Sequence, residues 1–179
     1  MTINIVNLSD FPAEISNFTK GRYINADYMD QEWETIWRGS WLMAGLASDV
    51  QSPGDYFVFD MGREQILVAK GSAGEVRAFY NVCQHRGNQL VSEECGNAVN
   101  FRCAYHAWTY DIDGDLKSVP YKERFTAGID TDDKALPRVN CEIWNGMVFV
   151  NLSESPAPLA QFLGPVAELL APYQFDKMT

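Results

Sequence analysis

Val139-Asn140-Cys141-Glu142-Ile143-Trp144-Asn145-Gly146-Met147-Val148-Phe149-Val150-Asn151 consists of two runs rich in β-branched and aromatic residues that meet at an Asn-Gly pair. Both turn residues tolerate the positive φ that a two-residue type I′ turn requires, so the stretch reads as an antiparallel hairpin with strands Val139–Trp144 and Met147–Asn151. Upstream the texture is similar. Turn signals at Pro53-Gly54, Gly71-Ser72 and Asp113-Gly114 separate further short segments of strand character. These predict strands at Trp41–Leu46, Tyr56–Phe59, Gln65–Ala69, Val76–Val82, Val99–Arg102 and Thr109–Ile112. Residues 41–152 are therefore expected to form one mainly β, antiparallel domain.

The flanks change period. Between Ala26 and Ser40, residues Tyr28, Met29, Trp33, Ile36 and Trp37 recur at helical spacing, with Asp27 as the expected N-cap and Gly39 as the stop. Residues 1–40 thus read as an N-terminal segment carrying one helix. Beyond a proline-containing linker, Ser153 to Pro158, the residues Leu159, Phe162, Leu163, Val166, Leu169 and Leu170 restore the helical period. Gly164-Pro165 falls inside that second helix and predicts a kink or break there. Residues 153–179 are read as linker and helix.

A chain of 179 residues suits a single core with terminal additions. Its net charge of −10 argues against DNA, RNA or an anionic membrane as a partner and favours a protein with a basic patch. The first twenty residues carry no signal-peptide pattern and no stretch approaches a membrane span, so a cytoplasmic location is expected. Four cysteines are few for a disulfide scaffold and in a reducing compartment read as metal ligands. There are only two histidines, His85 and His106.

Those two histidines each stand beside a cysteine. The chain reads Asn81-Val82-Cys83-Gln84-His85-Arg86-Gly87, and seventeen residues separate His85 from Cys103-Ala104-Tyr105-His106-Ala107-Trp108. Each pair follows an expected strand, so two loops could meet around one centre. Cys83 and His85 would point the same way on an extended segment, whereas Cys103 and His106 would converge through a tight turn. Two thiolates and two imidazoles can hold one tetrahedral zinc. Zinc sites usually group like ligands, however, and a loop that supplies one of each suits a binuclear iron–sulfur cluster better.

The same residues, with Thr109-Tyr110 and Asp113-Gly114 and the Trp-rich helix upstream, resemble the Rieske domain of aromatic-ring-hydroxylating oxygenase large subunits over nearly the whole chain. The resemblance implies a Rieske-type antiparallel β-sandwich with a cluster-binding subdomain of two loops, flanked by an N-terminal and a C-terminal helix. It also implies a Rieske 2Fe–2S cluster with Cys83 and Cys103 on the buried ferric iron, and His85 and His106 on the outer iron that changes valence. Gly87 would allow close backbone approach to the bridging sulfides. Arg86 would offset cluster charge, dock a partner or form a surface ion pair. Tyr105 and Trp108 would wall the site from water, with a plain core role open for Trp108. Cys95 and Cys141 read as buried small hydrophobes.

Oxygenases of that family add dioxygen at a mononuclear Fe(II) held by two histidines and a carboxylate. Both histidines here are committed to the two loops, so no residue of the chain is expected to be catalytic and the facial triad is expected only in an absent C-terminal domain. Lys177-Met178-Thr179, just after a helix, reads as a cut. The favoured reading is the N-terminal domain of an oxygenase large subunit in aromatic hydrocarbon catabolism. It would receive electrons from a reductase or ferredoxin and pass them to the catalytic domain of the same or a neighbouring subunit, within a homo- or hetero-oligomer. A stand-alone Rieske ferredoxin and a structural zinc-binding interaction domain are the alternatives.

Overall fold

The Asn145-Gly146 turn adopts φ of 50° and 82° in the computed structural model, which describes residues 21–126 and 128–177. Both values are left-handed, as the type I′ reading requires, and the hairpin pairs Trp144 with Met147 and Asn140 with Asn151. Among the described residues the strands are β1 (Leu42–Leu46), β2 (Asp55–Asp60), β3 (Gln65–Lys70), β4 (Val76–Tyr80), β5 (Cys95–Asn97), β6 (Asn100–Arg102), β7 (Thr109–Asp111), β8 (Leu116–Ser118), β9 (Arg138–Trp144) and β10 (Met147–Asn151). Seven of them form one sheet in the order β1-β10-β9-β4-β3-β2-β5, and β6-β7-β8 form a second. The paired strands run antiparallel. The mainly β reading holds.

Period-two alternation sends successive residues of the central strands into two cores. Phe57, Ile66, Val68, Ala78, Val139, Val148 and Val150 pack on one face of the large sheet. Tyr56, Leu67, Ala69 and Phe79 pack on the other, against Phe101, Tyr110 and Leu116 of the small sheet and against Cys83, Cys103 and Trp108. Strand β3 is consequently buried on both sides, the signature of a sandwich.

Three details differ from expectation. The short strands β5 and β8 carry little alternating hydrophobicity, Cys95-Gly96-Asn97 and Leu116-Lys117-Ser118, and lie at sheet edges. Strand β4 stops at Tyr80 because Val82 already pairs with Gln89 across the loop that follows. In the N-terminal segment, helix α1 (Gly21–Ile24) precedes α2 (Ala26–Glu32), and α2 is capped by Asn25, not by Asp27. The Asn25 side chain accepts from the N–H groups of Asp27 (2.8 Å) and Tyr28 (3.2 Å), while Asp27 sits in the first turn. Asn25→Ala should cost about 1 kcal/mol of local helix stability. Hydrogen exchange of the α2 amides reads that loss, and unchanged protection would contradict it.

The chain then widens into a π turn over Trp33–Trp37, which shifts the stripe so that Trp33 alone of the expected apolar set is buried. Residues 1–20, the start of the expected N-terminal segment, lie outside the described residues, as do Met178 and Thr179.

At the other end Gly164 (φ 47°) splits the second helix into α3 (Leu159–Leu163) and α4 (Pro165–Leu170), as Gly-Pro predicts. Leu159 packs with Trp41 and Phe149, and the Trp41 indole N–H donates to the Ala157 carbonyl at 2.8 Å. Among the described residues no helix is long and apolar enough to cross a membrane.

The β7–β8 turn is pinned by Asp113, which accepts from the Ser72 hydroxyl and pairs with Arg77 at 2.8 Å. The Ser72 hydrogen bond, with Arg77 and Arg138 nearby, holds its carboxyl below the usual range despite partial burial. A depressed folded pKa means the contribution is complete above the unfolded value near 3.9 and disappears as pH falls through the folded one. Asp113→Asn should therefore lower stability at neutral pH and flatten the acid limb of a urea-midpoint profile. Parallel acid limbs in parent and variant would contradict it.

Candidate metal centre

Two loops with one hydrogen-bond frame form the site. In the first, Cys83 N–H donates to Asn88 C=O (2.8 Å) and Gly87 N–H donates to Cys83 C=O (3.0 Å), with Val82 and Gln89 bridged beneath. In the second, Cys103 N–H donates to Trp108 C=O (2.9 Å) and Ala107 N–H to Cys103 C=O (3.0 Å), above the Arg102 and Thr109 pair of β6 and β7. Both frames need a left-handed residue four places after the cysteine. Gly87 supplies it at φ 69° and Ala107 at φ 57°. The expected extended run from Cys83 to His85 is thus a turn, because its ladder ends at the Val82–Gln89 bridge. A Cβ on Gly87 would meet nothing within 4 Å, so what this residue provides among the protein atoms is its φ.

The frames bring like donors together. Cys83 and Cys103 are both 2% exposed and belong to the same buried cluster. The His85 and His106 rings lie 4.6 Å apart between centroids. Four donors thus present a buried thiol pair and an imidazole pair. No set of three His, Cys, Asp or Glu side chains among the described residues is grouped as a site for a single ion. His85 Nδ1 is buried without a hydrogen-bond partner, an arrangement that is costly unless something else engages it.

Electrostatics distinguish the two thiols. Burial pushes Cys83 up, only partly offset by Tyr110 and the His85 N–H. Burial also acts on Cys103, but the N–H groups of Tyr105 and His106, the Cys83 thiol and the Asn88 amide outweigh it and hold that thiol below its ordinary value. Backbone donors aimed at the sulfurs favour the thiolate that a metal requires. Burial, His106 and Arg86 lower His85, favouring the neutral imidazole that can ligate.

Each thiol is touched by a side chain from the opposite loop region, and neither contact was foreseen. Tyr110, fully buried on β7, lies 3.5 Å from Cys83 Sγ while its hydroxyl accepts from the Gln84 N–H at 3.0 Å. Asn88 reaches Cys103 Sγ at 3.9 Å. Below the first loop, buried Asn81 donates to the Val91 carbonyl (2.8 Å) and accepts from its N–H (2.9 Å). Asn81 and Tyr110 stand beside the motif in sequence, and a polar residue inside apolar surroundings was the available signal. Tyr110→Phe should cost about 1–3 kcal/mol by leaving the Gln84 N–H unsatisfied. Urea unfolding measures it, and a change below about 0.5 kcal/mol would exclude the strut.

The outer residues divide. Trp108, 4% exposed, stacks on His85 with centroids 4.8 Å apart. Tyr105 lies on the outer side. It is 57% exposed at the loop apex and covers His106 from outside at 3.8 Å. Arg86 is exposed over the Tyr105 ring and forms no ion pair among the described residues. Cys95 is exposed on an edge strand, contrary to expectation, because β5 has no covering layer. Cys141 is partly buried, with its thiol pushed up to about 12 by burial and then by Glu142. Neither is in a disulfide.

A sequence model of the Rieske 2Fe-2S domain matches residues 40–140, spanning both loops. The chain belongs to that family. The large oxygenase component of the 2,4-dinitrotoluene dioxygenase system from Burkholderia sp. (strain RASC) is 38% identical over 84% of this chain and 34% of its own length. A structure of naphthalene 1,2-dioxygenase with indole in the active site superposes with TM-score 0.76 at 36% identity, over 80% of this chain and 32% of that one. A quaternary ammonium Rieske monooxygenase in complex with gamma-butyrobetaine gives TM-score 0.81 at 31% identity, over 87% and 44%. This Rieske domain spans about a third of the length of the curated relatives it matches.

Proposed function

We propose that this Rieske domain holds a 2Fe–2S cluster on Cys83, Cys103, His85 and His106, the thiolates serving one iron and the imidazoles the other. The observation that carries the assignment is the sorting of donors by two matched loops, both thiols in one buried cluster and the two imidazoles side by side. One tetrahedral ion has no need of that segregation, whereas a mixed-ligand binuclear cluster does. When bound, such a cluster supplies one-electron carriage. The chain's own residues bury the thiol side beneath Tyr110, screen His85 with Trp108 and leave the imidazole side partly exposed.

The electron-transfer role is read as that of the N-terminal domain of a ring-hydroxylating oxygenase large subunit. Electrons would come from a reductase or ferredoxin and leave for a mononuclear iron in a catalytic domain, of the same or a neighbouring subunit, outside this chain. Support comes from the similarity to dioxygenase large components and from the histidine count, since both histidines stand in the loops.

Metal and sulfide analysis tests the cluster: about two irons and two acid-labile sulfides per chain are expected. Zinc without sulfide would overturn it. The gene tests the oxygenase role. A reading frame that continues past Thr179 with two histidines and a carboxylate in triad spacing supports it, and a stop codon at that point would leave a carrier.

A further inference from the structure

Asn88 touches both loops of the site. Its backbone C=O accepts from the Cys83 N–H at 2.8 Å and closes the first loop, while its side-chain Nδ2 lies 3.9 Å from Cys103 Sγ in the second. A primary amide nitrogen carries two N–H bonds. Both have acceptors here, the Gln89 C=O at 2.7 Å and the Cys103 sulfur. The shorter bond holds the amide in place and leaves the other N–H for the sulfur. The next residue offers a contrast. The Gln89 amide donates to Gln65 Oε1, at the start of β3, and to the Val91 C=O, both at 3.0 Å, and reaches neither cysteine. Two consecutive amide side chains thus leave one loop for different targets, one for the sheet beneath it and one for the opposite cysteine.

We propose that Asn88 is a positioning residue that raises the reduction potential of the site from the opposite loop, its amide N–H donating to the Cys103 sulfur. The inference rests on the cluster-binding reading above and goes beyond it, to a side chain that sets how easily the site takes an electron. A thiolate bound to iron carries more negative charge than a free thiol, and hydrogen bonds to charged acceptors are shorter and about twice as strong as neutral ones. Reduction by one electron increases the charge on the sulfurs further. The N–H of Asn88 therefore stabilises the reduced state more than the oxidised state, and the potential rises. Hydrogen bonds to the sulfurs are among the levers by which a protein sets such potentials. Nothing in Gln89 can act in this way, since both of its contacts point away from the cysteines.

Protein-film voltammetry of the cluster-loaded chain, in which the electrode supplies the electron, tests the proposal. Asn88→Leu keeps the bulk of the side chain and the backbone carbonyl that closes the first loop, and removes both side-chain N–H groups. Its equilibrium constant for one-electron reduction should fall about tenfold, a drop of about 59 mV. Gln89→Leu makes the same exchange one residue later and should leave the potential unchanged. An unmoved potential in Asn88→Leu would overturn the proposal, and an equal drop in Gln89→Leu would do so too, by assigning the effect to loop packing. Iron and sulfide are assayed in every sample. Where Asn88→Leu fails to load, the parent chain decides. With nitrogen-15 confined to asparagine side-chain amides, pulsed electron paramagnetic resonance of the reduced parent should show one such nitrogen weakly coupled to the cluster. A loaded parent without that coupling refutes the role of Asn88 alone, whereas a parent without iron and sulfide overturns the cluster reading and the proposal with it.

Discussion

Cys83→Ser is expected to yield a folded, colourless protein that retains neither iron nor acid-labile sulfide. The thiolate is the soft, readily ionised donor that iron–sulfur chemistry needs, and a serine hydroxyl at the same position stays protonated at neutral pH. Fold loss is not the expected cause. Cys83 is 2% exposed but lies 3.5 Å from the Tyr110 hydroxyl, so a serine there has a hydrogen-bond partner ready. The loop frame is made by backbone groups and does not involve the sulfur. Cys103→Ser should behave alike, whereas Cys95→Ser, on exposed strand β5, should keep the full iron and sulfide content. Iron and sulfide assays with far-ultraviolet circular dichroism report metal and fold together. A Cys83→Ser chain that still holds about two irons and two sulfides would remove this residue from the ligand set.

Gly114→Ala is expected to have the largest effect on stability, on the order of 3–5 kcal/mol. Gly114 sits in the β7–β8 turn at φ 92°, where an L side chain is strained. Its Cβ would lie 2.5 Å from Cε1 of Phe79, a ring fully buried between the large sheet and the small one. Phe79 cannot rotate away without disturbing Leu67, Tyr110 and Leu136 in the same cluster, and Leu136 N–H also donates to the Gly114 carbonyl at 2.8 Å. Because β7 carries Tyr110, the strain would reach the first loop. Urea denaturation gives the number, and a loss below about 1 kcal/mol would show that Phe79 has room to move.

Much of the fold was legible because its signals are local. Asn145-Gly146 specifies a turn on its own, and the Gly164-Pro165 break needs only the proline ring and a permissive glycine. Strand β3, Gln65–Lys70, reads as a strand from composition, although its burial on both faces depends on the second sheet arriving from sequence far away. The misassigned cap illustrates the limit: Asn25 and Asp27 are both good capping residues, and the choice between them depends on where the chain turns into α2. Edge strands β5 and β8 lacked a signal because their pairing comes from neighbours and not from their own side chains.

For the site, residue types and spacing were sufficient to nominate Cys83, His85, Cys103 and His106, but not to describe how they meet. That Gly87 and Ala107 occupy equivalent left-handed positions in two equivalent loops became visible only once the closing hydrogen bonds were in place. Tyr110 and Asn88 each act on the cysteine of the opposite loop, and no pattern within either loop points across the gap. An aromatic beside His106 can cover it from inside or outside, and the exposure of Tyr105 places it outside.

Pulsed electron paramagnetic resonance on dithionite-reduced protein, grown with natural or nitrogen-15 histidine, tests the central claim most directly. Two imidazole ligands on one iron predict two strongly coupled nitrogens whose lines move with the isotope, and an average g below that of an all-cysteine cluster. A reduced signal matching a plant-type ferredoxin, with no histidine nitrogen coupled to it, would contradict the assignment of His85 and His106.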